Sequence, residues 1–357
     1  MRVTAFAKYS SMAASSRHRL LQYTPHLTAC GIEVDFHALL PDAYVEGIGS
    51  GRRYPKGKML LHYLHRFHQV IGRTKADLIW INAELFPFLP ASFERLAFRS
   101  GNPVVYDFDD AFFNFYGDHR YRWVRRLLAG KLDPLLRGAA LSCCGNTYLE
   151  RHASRFTPNT MILPTVVDTS IYRPAAGVRP DHPLTLGWIG SPSTWAYMRP
   201  LLPLLRRLVA ERGVRVRAVG AGAAARGDAF AGLDLIDWQE EREVEEIRSM
   251  DIGLMPLPDD EWARGKCGFK LIQYAACGLP VVASPVGANR EIVLFERTGL
   301  FATSEAEWSM ALLRLIDDPN LRSNLGGAGR RRIEEHYSLH VHAPRLVEAL
   351  KSLGPGG

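Results

Sequence analysis

"RGKCGFKLIQYAACGLPVVASPVG", residues 264–287, joins a run of helical periodicity to a short apolar strand through Gly278 and Pro280. Glycine takes the left-handed conformation that closes a helix, and a proline just beyond cannot continue one. "FKLIQYAACG" therefore reads as a helix that begins near Gly268 and ends at Gly278, and "PVVASPVG" as a buried strand. A helix feeding straight into an apolar strand is half of a βαβ unit, whose strands are covered on both faces and so lose polar alternation.

The same rhythm runs along the chain. "RVTAFAKY", "IEVDFHALL", "ADLIWIN", "PVVYDFDD", "ALSCCGN" and "TMILPTVVD" read as strands with helical patterns between them. A second series restarts at "LTLGWIG" and continues through "VRVRAVGAG", "LDLIDWQ", "DIGLMPL" and "PVVASPVG". The expected class is α/β, with two facing Rossmann-like domains around a deep cleft. The first covers residues 1–172 and the second 184–336. The Pro- and Gly-containing "RPAAGVRPDHP", residues 173–183, reads as an extended linker, and residues 337–357 as a C-terminal helix that packs back on the first domain. Such sheets bind ligands outside the carboxyl ends of their strands, so the loops facing the cleft are where chemistry is expected.

Composition narrows the function classes. A chain of 357 residues exceeds the usual size of one core, and 47% hydrophobic with 23% charged residues is ordinary globular content. No apolar run reaches the ~18 residues of a membrane span, and "MRVTAFAKYSSMAASSRHR" lacks a signal peptide's apolar block, so a cytoplasmic chain is expected. The five cysteines have no C-x-x-C spacing, which argues against disulfides and a structural metal. A net charge of +7 favours anionic partners; no nucleic-acid recognition motif accompanies it, so nucleic acid is not among them.

Several loops carry candidate chemistry. Gly190 and Ser191, in "GWIGSPST", suit close approach to a phosphate, or simply a tight turn. The helix end near Gly268, with Arg264, Lys266 and Lys270 around it, suits a diphosphate; cations on a solvated loop are the plain alternative. "VVYDFDDAFF" ends a strand with Asp107, Asp109 and Asp110, and strand alternation points the first two to one side and Asp110 to the other. A cleft-facing carboxylate there binds hydroxyls or takes a proton; capping a helix is the other reading. Glu84 is a similar strand-end group, and Ser15, Ser16, Arg17 and Arg19 follow the first strand as phosphate or sugar contacts or as helix caps.

"GAGAAA", residues 220–225, fits a dinucleotide fingerprint with Glu240 and Glu241 about 20 residues on, which would suggest NAD. It follows the second strand of its series rather than the first, and "QEEREVEEIR" reads as a solvated helical face. Two basic, aromatic stretches, 52–75 and 119–138, read as helices with an apolar stripe and a cationic face, fit either for an anionic membrane surface or for plain solvent.

"GFKLIQYAACGLPVVASPVGANREIV", "TGLFA" and "LLRLIDDPNLRSNLGGAGRRRIEEHYS" resemble the C-terminal domain of the retaining glycosyltransferases of family four, which have the GT-B fold. "LPTVVDTSIYRP" is similar to their interdomain segment. The resemblance implies a metal-independent, hexosyltransferase-like enzyme without a cofactor. It would move a sugar with retention from a UDP- or GDP-sugar to a glycan or lipid-linked acceptor, in bacterial polysaccharide or glycoconjugate assembly. By position, Gly268, Phe269 and Lys270 inherit the diphosphate; within that reaction Lys270 is the expected stabiliser of the leaving group, Asp109, with Asp110 second, the expected organiser of the acceptor or sugar, and Ser16, Arg17 and Glu84 the candidates on the acceptor side of the cleft. The family carries a ribose-binding glutamate where this chain has Gln273, preceded by a glutamate for the sugar that finds no counterpart here. Its usual arginine and lysine after the first strand of this domain are also missing, so Arg264, Lys266 and Lys270 are the expected replacements. The enzyme would be cytoplasmic, at most peripheral to the inner face of the membrane. A nucleotide-sugar epimerase on the same fold, an NAD-dependent dehydrogenase and a non-catalytic sugar- or membrane-binding relative stay open as alternatives.

Overall fold

The computed structural model describes residues 1–50, 54–72, 76–175 and 183–354. Each half of the chain is built on one six-stranded parallel sheet. In the first half, β1 (Arg2–Tyr9), β2 (Glu33–Leu40), β3 (Leu78–Asn82), β4 (Val104–Phe108), β5 (Leu141–Cys144) and β6 (Thr160–Ile162) stand in the order β2-β1-β3-β4-β5-β6. In the second, β7 (Thr185–Ile189), β8 (Arg215–Val219), β9 (Leu233–Ile236), β10 (Ile252–Met255), β11 (Val281–Ala283) and β12 (Leu300–Phe301) stand in the order β12-β11-β10-β7-β8-β9. The strands β3, β4 and β7 are buried along their whole length. This explains why their sequences are mostly apolar without polar alternation, because helices cover both faces of each sheet.

Both sheets reverse direction once. The second has the doubly wound order of a Rossmann fold, with its switch point between β7 and β10; the first switches between β1 and β3. Connections leave in opposite directions at those points, so a crevice opens beyond the strand ends. The two crevices face each other. Residues 176–182 of the expected linker lie outside the described residues.

The chain crosses between the domains a second time near Ser338. There Leu339 N–H donates to Val167 O at 2.9 Å, and Ser338 caps the helix Leu339–Leu353. Leu339, Ala343, Leu346 and Leu350 of this helix are buried against Val3, Ala5 and Leu163 of the first domain. The strand β12 has only two residues, too few to show a period; "TGLFA" alone does not announce it.

Candidate active site in the interdomain cleft

A cavity of about 1110 Å³ lies between the domains, at both switch points. The loop after β1 contributes Ser15 and Arg17 and the loop after β4 Asp109 and Asp110; the second domain supplies Gly190, Ser191 and residues 266–270. A separate cavity of about 240 Å³ lies on the hinge side of Cys267, among Asn146, Arg332 and His342.

Cations gather at one pole of the large cavity. The helix Phe269–Ala276 starts at Gly268, whose φ of +62° is left-handed and therefore suits glycine. The first-turn N–H groups at Phe269 and Lys270 have no acceptor within the helix and carry the positive end of its dipole. Lys270 runs back across β7: a side chain at Gly190 would meet its Cε at 2.8 Å, so the glycine leaves it room. Its ammonium lies 5.5 Å from the centre of the Trp188 ring. Burial, reinforced by the neighbouring Lys266 charge, lowers the Lys270 pKa to about 7. Burial also works against a charged Lys266, but Asp110, with Oδ1 3.5 Å from Nζ, holds that ammonium above its ordinary value.

Beside the lysines, on the loop after β4, stand Asp109 and Asp110. The strand β4 ends at Phe108, so the expected alternation stops there, and both of these aspartates line the cavity. Burial, and then the Asp110 charge, raises Asp109 to about 7. Asp107 does not join them. It is fully buried, paired with Arg19 through both of its oxygens, and accepts from Asn82 Nδ2 at 3.0 Å. Arg19 is thereby committed to the sheet, and its Nη1 also donates to Leu163 O at 2.5 Å, so the expected phosphate role for it fails.

The opposite pole is acidic and centres on Glu243, which is only 7% exposed. Its Oε1 accepts from the Gln273 amide at 2.9 Å and from the Tyr172 hydroxyl, and its Oε2 from Trp238 Nε1 at 2.6 Å. Arg17, whose guanidinium sits 4.9 Å from the Trp238 ring centre, reaches across the cleft to Glu240 at 3.2 Å and approaches Glu243 at 3.9 Å. Glu243, Glu240 and Gln273 all line the cavity. The carboxylate missing at position 273 therefore stands within hydrogen-bonding distance of it, on another helix. Sequence reading missed Glu243 by treating "QEEREVEEIR" as wholly solvated. The available signal was its spacing: Glu243, Glu246, Ile247 and Met250 are all buried, at i, i+3, i+4 and i+7.

The loop that carries Lys266 is clamped from the first domain. Asn146 caps the helix Thr147–Ala153 by accepting from Leu149 N–H at 2.9 Å. Its amide nitrogen donates to Gly265 O at 3.0 Å and Lys266 O at 3.1 Å. Cys267 Sγ donates to Asp109 O at 3.0 Å, so this cysteine is part of the domain contact rather than incidental.

Three expected groups lie elsewhere. Glu84 is buried away from the cavity wall, bonded to Tyr116 Oη at 2.7 Å and paired with Lys131 at 3.3 Å and Lys8 at 3.4 Å. Ser16 is fully buried and donates to Tyr9 O at 2.6 Å; its neighbour Ser15 takes the place on the wall. Arg264 turns to Asp259 at 2.7 Å, at the surface and off the wall. Gly220 and Gly222 of "GAGAAA" do line the cavity, but at the end of β8, beside the switch point, and they lead into a short 3₁₀ turn at 223–228 instead of a long helix.

Residues 184–318 match the family model described as "Glycosyl transferases group 1". The chain is 34% identical over 87 residues to a GDP-mannose-dependent monoacylated alpha-(1-6)-phosphatidylinositol monomannoside mannosyltransferase of Corynebacterium glutamicum, covering 24% of this chain and 23% of that one. It is 27% identical over 167 residues to a D-inositol 3-phosphate glycosyltransferase of Thermobispora bispora, covering 46% of this chain and 34% of that one. The matches thus span between 19% and 34% of the length of these curated relatives. Similar solved structures cover nearly the whole fold. Sucrose-phosphate synthase from Thermosynechococcus elongatus superposes with a TM-score of 0.73 at 15% identity, over 99% of each chain. HepE of Anabaena, in complex with UDP and glucose, superposes with a TM-score of 0.72 at 13% identity, over 99% of this chain and 100% of that one. The second half of this chain accordingly carries a glycosyl transferases group 1 domain, and the whole has the two-domain architecture of GT-B glycosyltransferase structures.

Proposed function

We propose that the protein is a retaining glycosyltransferase that moves a sugar from a UDP- or GDP-sugar to an acceptor hydroxyl in bacterial polysaccharide or glycoconjugate assembly. One observation carries the reading: Lys266, Lys270 and the open helix end at Gly268 converge on one pole of a cavity whose other pole is acidic. A nucleoside diphosphate has the matching polarity, anionic at the phosphates and hydroxyl- and N–H-bearing at the nucleoside. The diphosphate lies on Gly268, Phe269 and Lys270, and Ser191 borders the same pole. At the other pole Glu243, held by Gln273, accepts a ribose hydroxyl.

In the reaction the bond from the anomeric carbon to the β-phosphate oxygen breaks, and its electron pair leaves with the diphosphate. The acceptor oxygen bonds to that carbon from the same face, and its proton passes to the departing phosphate oxygen. Negative charge grows on the diphosphate, where the two lysines and the helix dipole stabilise it without Mg²⁺ or a cofactor. Asp109 and Asp110 orient the sugar or the acceptor. The clamp between Asn146 and residues 265–266 keeps the cleft closed, which excludes water and so suppresses donor hydrolysis. The glycan or lipid-linked acceptor approaches from the first domain, in a cytoplasmic enzyme that meets an anionic membrane surface peripherally.

Incubation with UDP-, GDP-, ADP- and dTDP-sugars tests this. The expected result is release of nucleoside diphosphate from one of them, with the sugar appearing on an acceptor or on water. An isomerised donor with no nucleoside diphosphate released would mark an epimerase instead, and turnover unchanged in Lys270→Ala would remove the lysine from the mechanism.

A further inference from the structure

The cavity of about 240 Å³ on the hinge side of Cys267 lies on the seam between the domains, outside the cleft. Its walls come from both sides. Arg332 belongs to the helix Pro319–His336, which packs on the second domain through Leu325 and Ile333. His342 and Arg345 belong to the helix Leu339–Leu353, which packs on the first domain. The chain passes from one helix to the other at Ser338, beside the bond from Leu339 N–H to Val167 O. A water molecule's share of liquid is about 30 Å³, so the cavity has room for a small solute.

Both arginines are held from behind and keep unused donors. His342 is only 3% exposed. Its Nε2 lies 2.9 Å from His336 O, and because a carbonyl only accepts, that nitrogen carries the proton. Nδ1 is then the acceptor, and it takes a hydrogen bond from Arg345 Nη1 at 3.2 Å. Burial lowers the His342 pKa, and the charges of Arg345, Arg19 and His336 act in the same direction, against the bond to His336 O. A buried ring of fixed tautomer thus positions a guanidinium on an otherwise exposed side chain. Arg332 is fixed by two carbonyls: its Nε donates to Ile292 O at 2.8 Å and its Nη2 to Glu291 O. Among the described residues, Arg332 Nη1 and the Nε and Nη2 of Arg345 have no acceptor.

Charge says what the cavity takes. Among the described residues neither arginine forms an ion pair with a carboxylate. The one carboxylate on the wall, Glu291, accepts from the Thr147 hydroxyl of the first domain. The two guanidiniums therefore leave an excess of positive charge in a recess whose remaining walls include the apolar Ile162, Pro164 and Ile292. Planar N–H forks match the oxygens of a phosphate group, and such charge-assisted bonds are stronger where water is partly excluded.

We propose that this cavity is a second anion site, in which Arg332 and Arg345 together bind the phosphate group of inorganic phosphate or of a small phosphate monoester and so bridge the two domains. Asn146 and Cys267 stand in the same wall, and they hold the loop of Lys266 through their bonds to Gly265 O, Lys266 O and Asp109 O. An anion bound by one arginine from each side of the seam braces the closed cleft from outside, a position from which phosphate regulates closure. The site stands on the seam alone; only that regulatory purpose rests on the transferase reading.

Calorimetric titration of inorganic phosphate into the full chain, with sodium nitrate at matched ionic strength as the control, tests it without any donor present. Lys266→Ala/Lys270→Ala is the reference protein, because it removes the other cationic pole from competition. It is expected to bind phosphate saturably and to melt at a higher temperature with phosphate than with nitrate. On that background Arg345→Gln should lower phosphate affinity about tenfold or more and Arg345→Glu should abolish binding, while neither moves the melting temperature in nitrate by more than a few degrees. Glycerol 3-phosphate separates the two sources of the group: tighter binding than phosphate assigns the site to a phosphate monoester, weaker binding to the free ion. No saturable binding, an equal effect of nitrate, or full binding by both Arg345 variants would overturn the site. None of these results bears on whether the cleft takes a nucleotide sugar.

Discussion

The ribose role proposed for Glu243 gives the sharpest prediction. Glu243 accepts from Gln273, Tyr172 and Trp238, which uses three of about four acceptor positions of a carboxylate. About one position is left, which the Arg17 guanidinium approaches at 3.9 Å, so a ligand hydroxyl would bond the carboxylate beside or in place of that cation. A hydrogen bond from a neutral hydroxyl to a buried carboxylate contributes about 1.5–3 kcal/mol, or about tenfold to about 150-fold in affinity. Titration calorimetry with the preferred nucleoside diphosphate and its 2′- and 3′-deoxy forms should therefore show a preference of that size for the ribose in the wild type. Glu243→Gln keeps the shape but removes the charge and turns an N–H toward existing donors, so the preference should vanish. In Glu243→Ala/Gln273→Glu, a carboxylate returns within about 2.9 Å of the lost Oε1, the separation of the present Gln273–Glu243 bond, and part of the preference should return. A wild type blind to the sugar hydroxyls, or a Glu243→Gln variant that still discriminates, would refute the assignment.

Two further perturbations test the other parts of the cleft. Burial and the Lys266 charge lower the Lys270 pKa to about 7, and a diphosphate bound beside it would raise it. Above about pH 7 donor binding must then take up a proton, and affinity falls by up to about tenfold per pH unit. Asp109 gains its charge over the same range and steepens the fall. Calorimetry in buffers of different ionisation enthalpy should show the uptake reduced in Lys270→Met and reduced further when Asp109→Asn is added; uptake identical in all three proteins contradicts the site. Asn146→Asp keeps an oxygen to cap its helix but loses both donors to Gly265 O and Lys266 O. Its melting temperature should fall by several degrees, because an acid then faces two carbonyl oxygens at a position only 2% exposed, and kcat/KM for the donor should drop about tenfold or more. Unaltered kcat/KM would reduce Asn146 to a helix cap.

Much of the architecture was legible because buried parallel strands advertise themselves. "LIWIN" and "VVYDF" are buried on both faces and mostly apolar, and Gly278 with Pro280 marks where one helix must stop. The cationic pole was legible for a similar reason: Gly268 and Lys270 belong to one local segment whose helix start is written in the sequence. The errors arose where tertiary contacts decide. Asp107, Asp109 and Asp110 are identical in type, and only the end of β4 at Phe108 and the depth of Arg19 separate the structural one from the two in the cleft. Glu84 follows β3 and Ser16 lies in the short helix after β1, where active-site groups are expected, but Lys131 and the Tyr9 carbonyl claim them. The partnership of Glu243 with Gln273 joins residues on different helices, and no local pattern encodes it.

Titration of UDP, GDP, ADP and dTDP into the wild type and into Lys266→Ala/Lys270→Ala tests the central claim most directly. At least one of them should bind the wild type. The double variant removes both ammonium groups from the anion pole, so its affinity for that nucleotide should fall about a hundredfold, at about 1.4 kcal/mol for each lysine. No binding of any nucleoside diphosphate, or an affinity indifferent to the loss of both lysines, would contradict a diphosphate seated between Gly268 and Lys270.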